Sequence, residues 1–348
     1  MFRSLSASVA VLIPCAVAAA QAPTHRIETT DHQTLTATIT YGVQVGDFTV
    51  TRWSVFLPEP PELPSQTVRK VAADPTGKVV ADASPLARPV RFIDLPVRDA
   101  RPGAKLPLKL EVEATLRSRK LVPLEPGEKV PVVPALSAAE KKAYLAAGPR
   151  ADFETPAFRD WLDAKRLRLV KRETAIDLAA RILDVIRTDF TYAYDPKADR
   201  RASAVCGRKV ADCGDMSLMF VAAMRANGIP ARLLVGRTAM PPKPGSAPGS
   251  LEYDRPHART EFHVPGVGWV PVDPAYANTE TNRPVDEFVG HDPGDLLVLH
   301  VESDLKLPFP DQVRTADLLQ LAPAVWVQGN GKAGLTFAPA GWDVKTKR

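Results

Sequence analysis

Between residues 24 and 129 apolar and polar positions alternate along the chain. LTATITYGVQV (35–45) and KLPLKLEVEATL (105–116) send every second side chain to one face, which in the second run carries Leu106, Leu108, Leu110, Val112, Ala114 and Leu116. A period of two suits strands with one buried face. Proline-rich turns such as LPEPPELP (57–64) separate the runs. The pattern predicts an antiparallel β-sandwich over residues 24–130, of a size to stand as an independent domain.

After the linker PLEPGEKVPVVP (123–134) the period lengthens. Ser137 and Glu140 make a capping-box start, and Thr155-Pro156 opens a second short helix. From about Thr174, Ile176, Ala179, Ala180, Leu183 and Ile186 recur at helical spacing and predict a buried stripe. In VADCGDMSLMFVAAMRANGIPARLLVGR (210–237), Asp212 is a good N-cap and Gly228 sits where a left-handed C-terminal cap is expected. The helix predicted between them, from about Cys213 to Ala226, is apolar nearly all round and therefore central. Pro230 ends it and ARLLVG reads as a buried strand. A loop rich in Pro, Gly and Ser over 238–256 leads to two strand-like runs, HARTEFHV (257–264) and WVPVD (269–273), joined by PGVG. Near the end, VWVQGNGKAGLTF (325–337) carries a second hairpin signal at Asn330-Gly331. The predicted class is α+β: the sandwich, a core over 135–300 and a β-containing C-terminal extension over 301–348.

Composition narrows the classes. The chain has 348 residues, 45% hydrophobic and 24% charged, as a globular protein does, and its 34 prolines favour loops and edge strands. A net charge of +5 spread along the chain does not argue for nucleic acid. The basic runs DAKRLRLVKRE (163–173) and KTKR (345–348) read as solvated helix faces and tails. Residues 1–20, with Arg3, the apolar stretch Val9 to Val17 and Ala18-Ala19-Ala20, read as a secretory signal, so the mature chain is expected to start at Gln21. LIPC before Ala16 is a weak lipoprotein box because Pro14 precedes the cysteine. Nothing after residue 20 is long and apolar enough to span a bilayer. An exported protein, periplasmic or extracellular and without stable membrane insertion, is expected, its sandwich the natural contact for an envelope or surface partner.

Cys15 leaves with the signal, so only Cys206 and Cys213 remain. Two thiols make no disulfide framework, and their spacing matches no common zinc site. Neither metal nor organic cofactor is expected. Cys206 could be a disulfide partner, a redox lock on Cys213 or a plain thiol, the plain reading being the simplest. A cysteine that opens an apolar helix is structural more often than not. A helix N-terminus, however, also favours negative charge and so the thiolate, and its free N–H groups can hold an oxyanion. With His257 as base and Asp273 as orienting carboxylate, a Cys-His-Asp set is available from one helix end and one hairpin. Glu261 is an alternative orienter, though a solvated strand face is its commoner fate. His263 and His291 read as surface or turn residues, and Trp269, Trp326 and Trp342 as strand-packing aromatics.

Strand parity tests the set. If 265–268 form the turn, Val264 faces Trp269, Asp273 falls opposite Thr260, and His257 points to the other face. Since a one-residue slip flips every side chain, a triad requires a bulge or an odd-length turn within 258–272.

The order and motifs together resemble the transglutaminase-like superfamily of papain-like thiol enzymes. DCGDMSLMFVAAMRANGIPAR is similar to its nucleophile helix, HARTEFHVPGVGWVPVDPA to its His-strand and Asp-strand hairpin, and FVGHDPGDLLVLH to the segment that often follows. The resemblance covers roughly residues 174–300. It implies a papain-like core with a central helix on an antiparallel sheet, Cys213 as nucleophile, His257 as base and acid, Asp273 as orienter, and acyl transfer from a protein or peptide amide. Hydrolysis by a protease or amidase is the implied outcome, with a protein cross-linker and a non-catalytic scaffold as rivals. The chain departs from the family at Arg259, where an aromatic is common, and the expected consequence is an altered acyl-donor surface. The backbone N–H of Cys213 is one expected oxyanion donor; Tyr192 and Tyr194 are candidates for the other.

Overall fold

The computed structural model describes residues 24–98, 101–129, 132–332 and 334–347. The secretory signal read at residues 1–20 lies outside them. The class is α+β, as expected.

The alternating runs are strands, and their apolar faces are buried. His25–Val45 lies between Lys105–Pro123 and Leu335–Lys347 in one antiparallel sheet, with Gln66–Asp74 and the short His291–Asp292 also on Lys105–Pro123. A second sheet runs Ala324–Gly331, Phe48–Pro58, Pro89–Pro96, Lys78–Ala81. Leu108, Leu110, Val112, Ala114 and Leu116 from the first share one apolar cluster with Val50, Trp53, Val55, Leu57 and Ile93 from the second. Burying each such side chain contributes about 1.5–3 kcal/mol.

Both ends of the chain build these sheets. The Asn330-Gly331 signal marks a corner and not a hairpin, because the strands on either side of it belong to different sheets. Gly46-Asp47 makes the same crossing at the other end of the chain. The two crossings are tied by the Gly46 N–H to the Gly334 carbonyl at 2.9 Å and the Lys332 N–H to the Asp47 carbonyl at 3.1 Å. Gly329 has φ +154°, and a Cβ there would meet the Thr49 carbonyl oxygen at 1.9 Å. A hairpin signal reports a chain reversal; which strand each arm then joins is decided by long-range packing.

The middle of the chain is helical around a small sheet. The capping box at Ser137 and Glu140 starts Ala138–Ala143, and Thr155 precedes Pro156–Ala164. Ala175–Asp189 buries Ala179, Leu183 and Ile186, and packs against the central helix Cys213–Ala226. That helix ends as its sequence suggests: Gly228 has φ +73°, its N–H reaches the Arg225 carbonyl at 2.9 Å, and the Ile229 N–H reaches Met224 at 3.1 Å. It packs on a four-stranded antiparallel sheet ordered Gly268–Val272, Pro256–Val264, Ala231–Thr238, Leu296–Val301. Gly236 lets the last strand approach, since a Cβ there would lie 2.0 Å from the Leu297 carbonyl oxygen. Among the described residues no helix is long and apolar enough to cross a membrane.

Candidate active site

The central helix begins where Asp212 accepts the Asp215 N–H at 3.0 Å. Cys213 is therefore its first residue, half-buried and a free thiol. Its N–H is one of the first-turn donors that no helical carbonyl can reach, and the helix dipole favours an anion there. Two buried carboxylates crowd the same end. Arg200 answers both, at 2.7 Å from Asp212 and 3.2 Å from Asp215, and Arg208 adds a contact to Asp215 at 3.0 Å. Burial and the Asp212 charge together push the Asp215 carboxyl up.

The hairpin solves the parity problem through its turn. Val264 pairs with Gly268, so the loop is the three residues 265–267, and the register runs through His263–Trp269 to Thr260–Val272. Gly266 and Gly268 supply the positive φ angles, +77° and +96°, that such a turn needs. Continuing the register sets Asp273 beside Arg259, on the face that His257 shares.

The two side chains meet. His257 Nε2 lies 2.7 Å from Asp273 Oδ2, and both are buried. Asp273 Oδ1 accepts the Tyr276 N–H at 3.0 Å, so the same carboxylate caps the helix Pro274–Thr279. Tyr276 stacks on the imidazole at 5.0 Å between ring centroids. Burial opposes a charge on His257, yet the Asp273 carboxylate, followed by Cys213, outweighs it and raises the imidazole pKa to about 10. Burial likewise opposes the Asp273 charge, but His257, Arg259 and the Tyr276 N–H hold its carboxyl well below the usual carboxylate range. These shifts favour an imidazolium beside a carboxylate at neutral pH.

Tyr192 lines the same cleft as Cys213. Its two-residue strand, Thr191–Tyr192, pairs in parallel with Val210–Ala211, so Tyr192 sits beside Ala211, two residues before Cys213. Although the residue is 39% exposed, partial burial of its hydroxyl, and then the adjoining Cys213, push that group well above the usual phenol range. Tyr194 lines the cleft farther out, under the Arg200 guanidinium at 5.6 Å. The cleft around Cys213 and His257 measures about 420 Å³.

Three residues differ from their sequence reading. Arg259 does not form the acyl-donor surface. It is 3% exposed and sends Nε to Asp273 Oδ2 at 2.7 Å, Nη1 to Asp292 at 3.0 Å and Nη2 to Asp295. Glu261 is neither solvated nor an orienter: it is fully buried between Arg119 and Arg232. His263 is buried edge-on against Trp269 at 5.3 Å. Cys206 is a free thiol, its Sγ 3.3 Å from the Ser203 carbonyl, and burial with the nearby Asp152 charge pushes it up.

Sequence reasoning also passed over Asp292 and Arg119. Arg119, from the strand Lys105–Pro123, contacts Asp292 at 3.1 Å and the Trp269 carbonyl at 3.4 Å, which connects the first sheet to Arg259. One signal was available: His257, Arg259 and Glu261 alternate on one strand face, so a face that is buried at His257 was to be expected to continue past the other two.

Residues 164–274, which include Cys213, His257 and Asp273, match the family model of the Transglutaminase-like superfamily. A search of curated proteins gave no match. Among solved structures, a candidate cysteine protease from Cytophaga hutchinsonii is similar at 12% identity, covering 92% of this chain and 93% of that chain with a TM-score of 0.55. The periplasmic domain of TgpA from Pseudomonas aeruginosa is similar at 15% identity, covering 68% of this chain and 72% of that chain with a TM-score of 0.36. By the matched segment and the fold shared with the first of these, this chain carries a transglutaminase-like superfamily domain at residues 164–274.

Proposed function

We propose that the chain is an exported thiol enzyme that transfers the acyl group of a protein or peptide amide, most often to water. The observation that supports this above all is the buried His257 imidazole held between Asp273 and the Cys213 thiol at a helix N-terminus. With the Cys213 proton already resting on His257 as an ion pair, the thiolate attacks the amide carbonyl carbon. The oxyanion so formed is held by the Cys213 N–H and the Tyr192 hydroxyl. His257 then protonates the leaving nitrogen, the C–N bond breaks, and a thioester remains. Water, deprotonated by His257, attacks the thioester and releases the acid and the thiol. Asp273 keeps the imidazole oriented and stabilises its charge.

The reading is tested by the rate at which iodoacetamide alkylates Cys213 as pH is varied, in a Cys206→Ser background and with His257→Ala beside it. A thiolate reacting well below the free-thiol pKa of about 8.5, and losing that advantage without His257, is the expected result. A thiol no faster than a free model thiol, and indifferent to His257, would reject it.

A further inference from the structure

The walls of the cleft beside Cys213 are unequal. On one side Leu233, Val235 and Ala258 pack together, with Leu318 lying against them. Val235 pairs with Ala258 across the sheet, and Leu233 with Thr260 one step on, so these side chains share a face. Leu218 of the central helix and Leu321 complete the lining. Leu318 and Leu321 lie outside residues 164–274, so this wall is supplied by the chain's own later segment.

That segment is fastened in place. Arg150 holds Asp317 at 2.6 Å. The Leu319 N–H donates to His300 Nε2 at 3.1 Å, and Arg237 Nε donates to the Gln320 carbonyl at 2.9 Å. Leu319 is fully buried. His300 is a dependable acceptor, since burial lowers its pKa to about 4 and keeps it neutral.

Two of the cleft's cations are paired, Arg200 with Asp212 and Asp215 and Arg150 with Asp317, while Arg255, toward the Pro241 carbonyl at 3.3 Å, and the exposed Glu252 also line it. A charged side chain lying against this apolar wall would lose its water to side chains that offer it no hydrogen bond. An aliphatic or aromatic one would exchange water for contact.

We infer that Leu218, Leu233, Val235, Ala258, Leu318 and Leu321 form a subsite that takes a large uncharged side chain of the acyl donor, next to the carbonyl that Cys213 attacks. The inference rests on the thiol-enzyme reading above. It sets the substrate class as peptides with Leu-like or Phe-like residues near the reacting bond.

Peptidyl chloromethyl ketones identical but for one side chain, Leu, Phe, Gly, Asp or Lys, test it on the full chain. Each rate of Cys213 modification is divided by the iodoacetamide rate of the same protein, which reads the nucleophile without the subsite. Leu and Phe probes should exceed Gly, Asp and Lys by about tenfold or more. Leu318→Asp should abolish that preference and favour Lys, and Leu318→Ala should weaken it should the aspartate disturb folding. Equal normalised rates for all five probes, with brisk iodoacetamide reaction, would overturn the subsite alone. Slow iodoacetamide reaction would instead remove the nucleophile, and the subsite with it.

Discussion

Arg259 donates to the very oxygen of Asp273 that His257 holds: Nε and Nε2 both lie 2.7 Å from Oδ2. The guanidinium also reaches Asp292 and Asp295, so one cation fixes three carboxylates. Arg259→Met leaves these without their shared partner and is expected to cost about 3–5 kcal/mol of stability in urea unfolding. Arg259→Lys keeps a charge but loses the planar fork. It should retain most of the stability while slowing p-nitrophenyl acetate acylation of Cys213 by about tenfold, since an unfixed carboxylate lets the imidazole wander. Full acylation by a folded Arg259→Lys protein would show that Asp273 needs no second anchor.

The His257–Asp273 pair makes stability depend on pH in a defined direction. His257 rises on folding from an ordinary 6.5 to about 10, so its contribution is fully present below 6.5 and is lost as pH climbs toward 10. Asp273 moves the other way: its contribution is present above the ordinary carboxylate value of 3.8 and disappears as pH falls below it. The pair stabilises most between those two ordinary values, 3.8 and 6.5. Urea unfolding at pH 6, 8 and 10 should show the wild type losing stability relative to His257→Gln across that range. Parallel pH curves for the two proteins would mean that the imidazole is not charged in the fold.

The proposed role of Tyr192 as an oxyanion donor is one that two probes separate. Acylation by p-nitrophenyl acetate builds a tetrahedral oxyanion, whereas alkylation by iodoacetamide does not. Losing one oxyanion donor typically costs about 10²–10³ in rate. Tyr192→Phe should therefore lower acylation by about that factor and alkylation far less. A loss equal in both reactions would assign the hydroxyl to the thiol itself.

Local rules located the helix ends and the hairpin, while the charged network escaped them for a physical reason. Asp212 and Gly228 cap Cys213–Ala226 because caps are chosen by neighbouring backbone groups, which a local stretch displays. Parity demanded a bulge or an odd-length turn, and the three-residue turn 265–267 supplies the second. Arg259 and Glu261 misled because a polar strand face ordinarily meets water. Here it meets Arg119, Asp292 and Arg232, which pair with it. The pairing of His25–Val45 with Leu335–Lys347 was equally out of reach, since no local pattern relates strands some 300 residues apart.

Arg119 extends this dependence to the first sheet. Its side chain is fully buried, its strand pairs Arg119 with Asp292, and Asp292 in turn holds Arg259 against Asp273. Arg119→Met leaves Glu261 with Arg232 alone and removes one of the two arginines on Asp292, at an expected cost of about 3–5 kcal/mol. Because Asp292 is shared, the loss should reach the catalytic pair: Cys213 alkylation in the folded variant should slow, and the His257 NMR titration midpoint should shift. Arg119→Lys, which keeps a cation for both carboxylates, should recover part of each effect. A stable Arg119→Met protein with unchanged alkylation and an unchanged His257 midpoint would confine the first sheet to a scaffolding role.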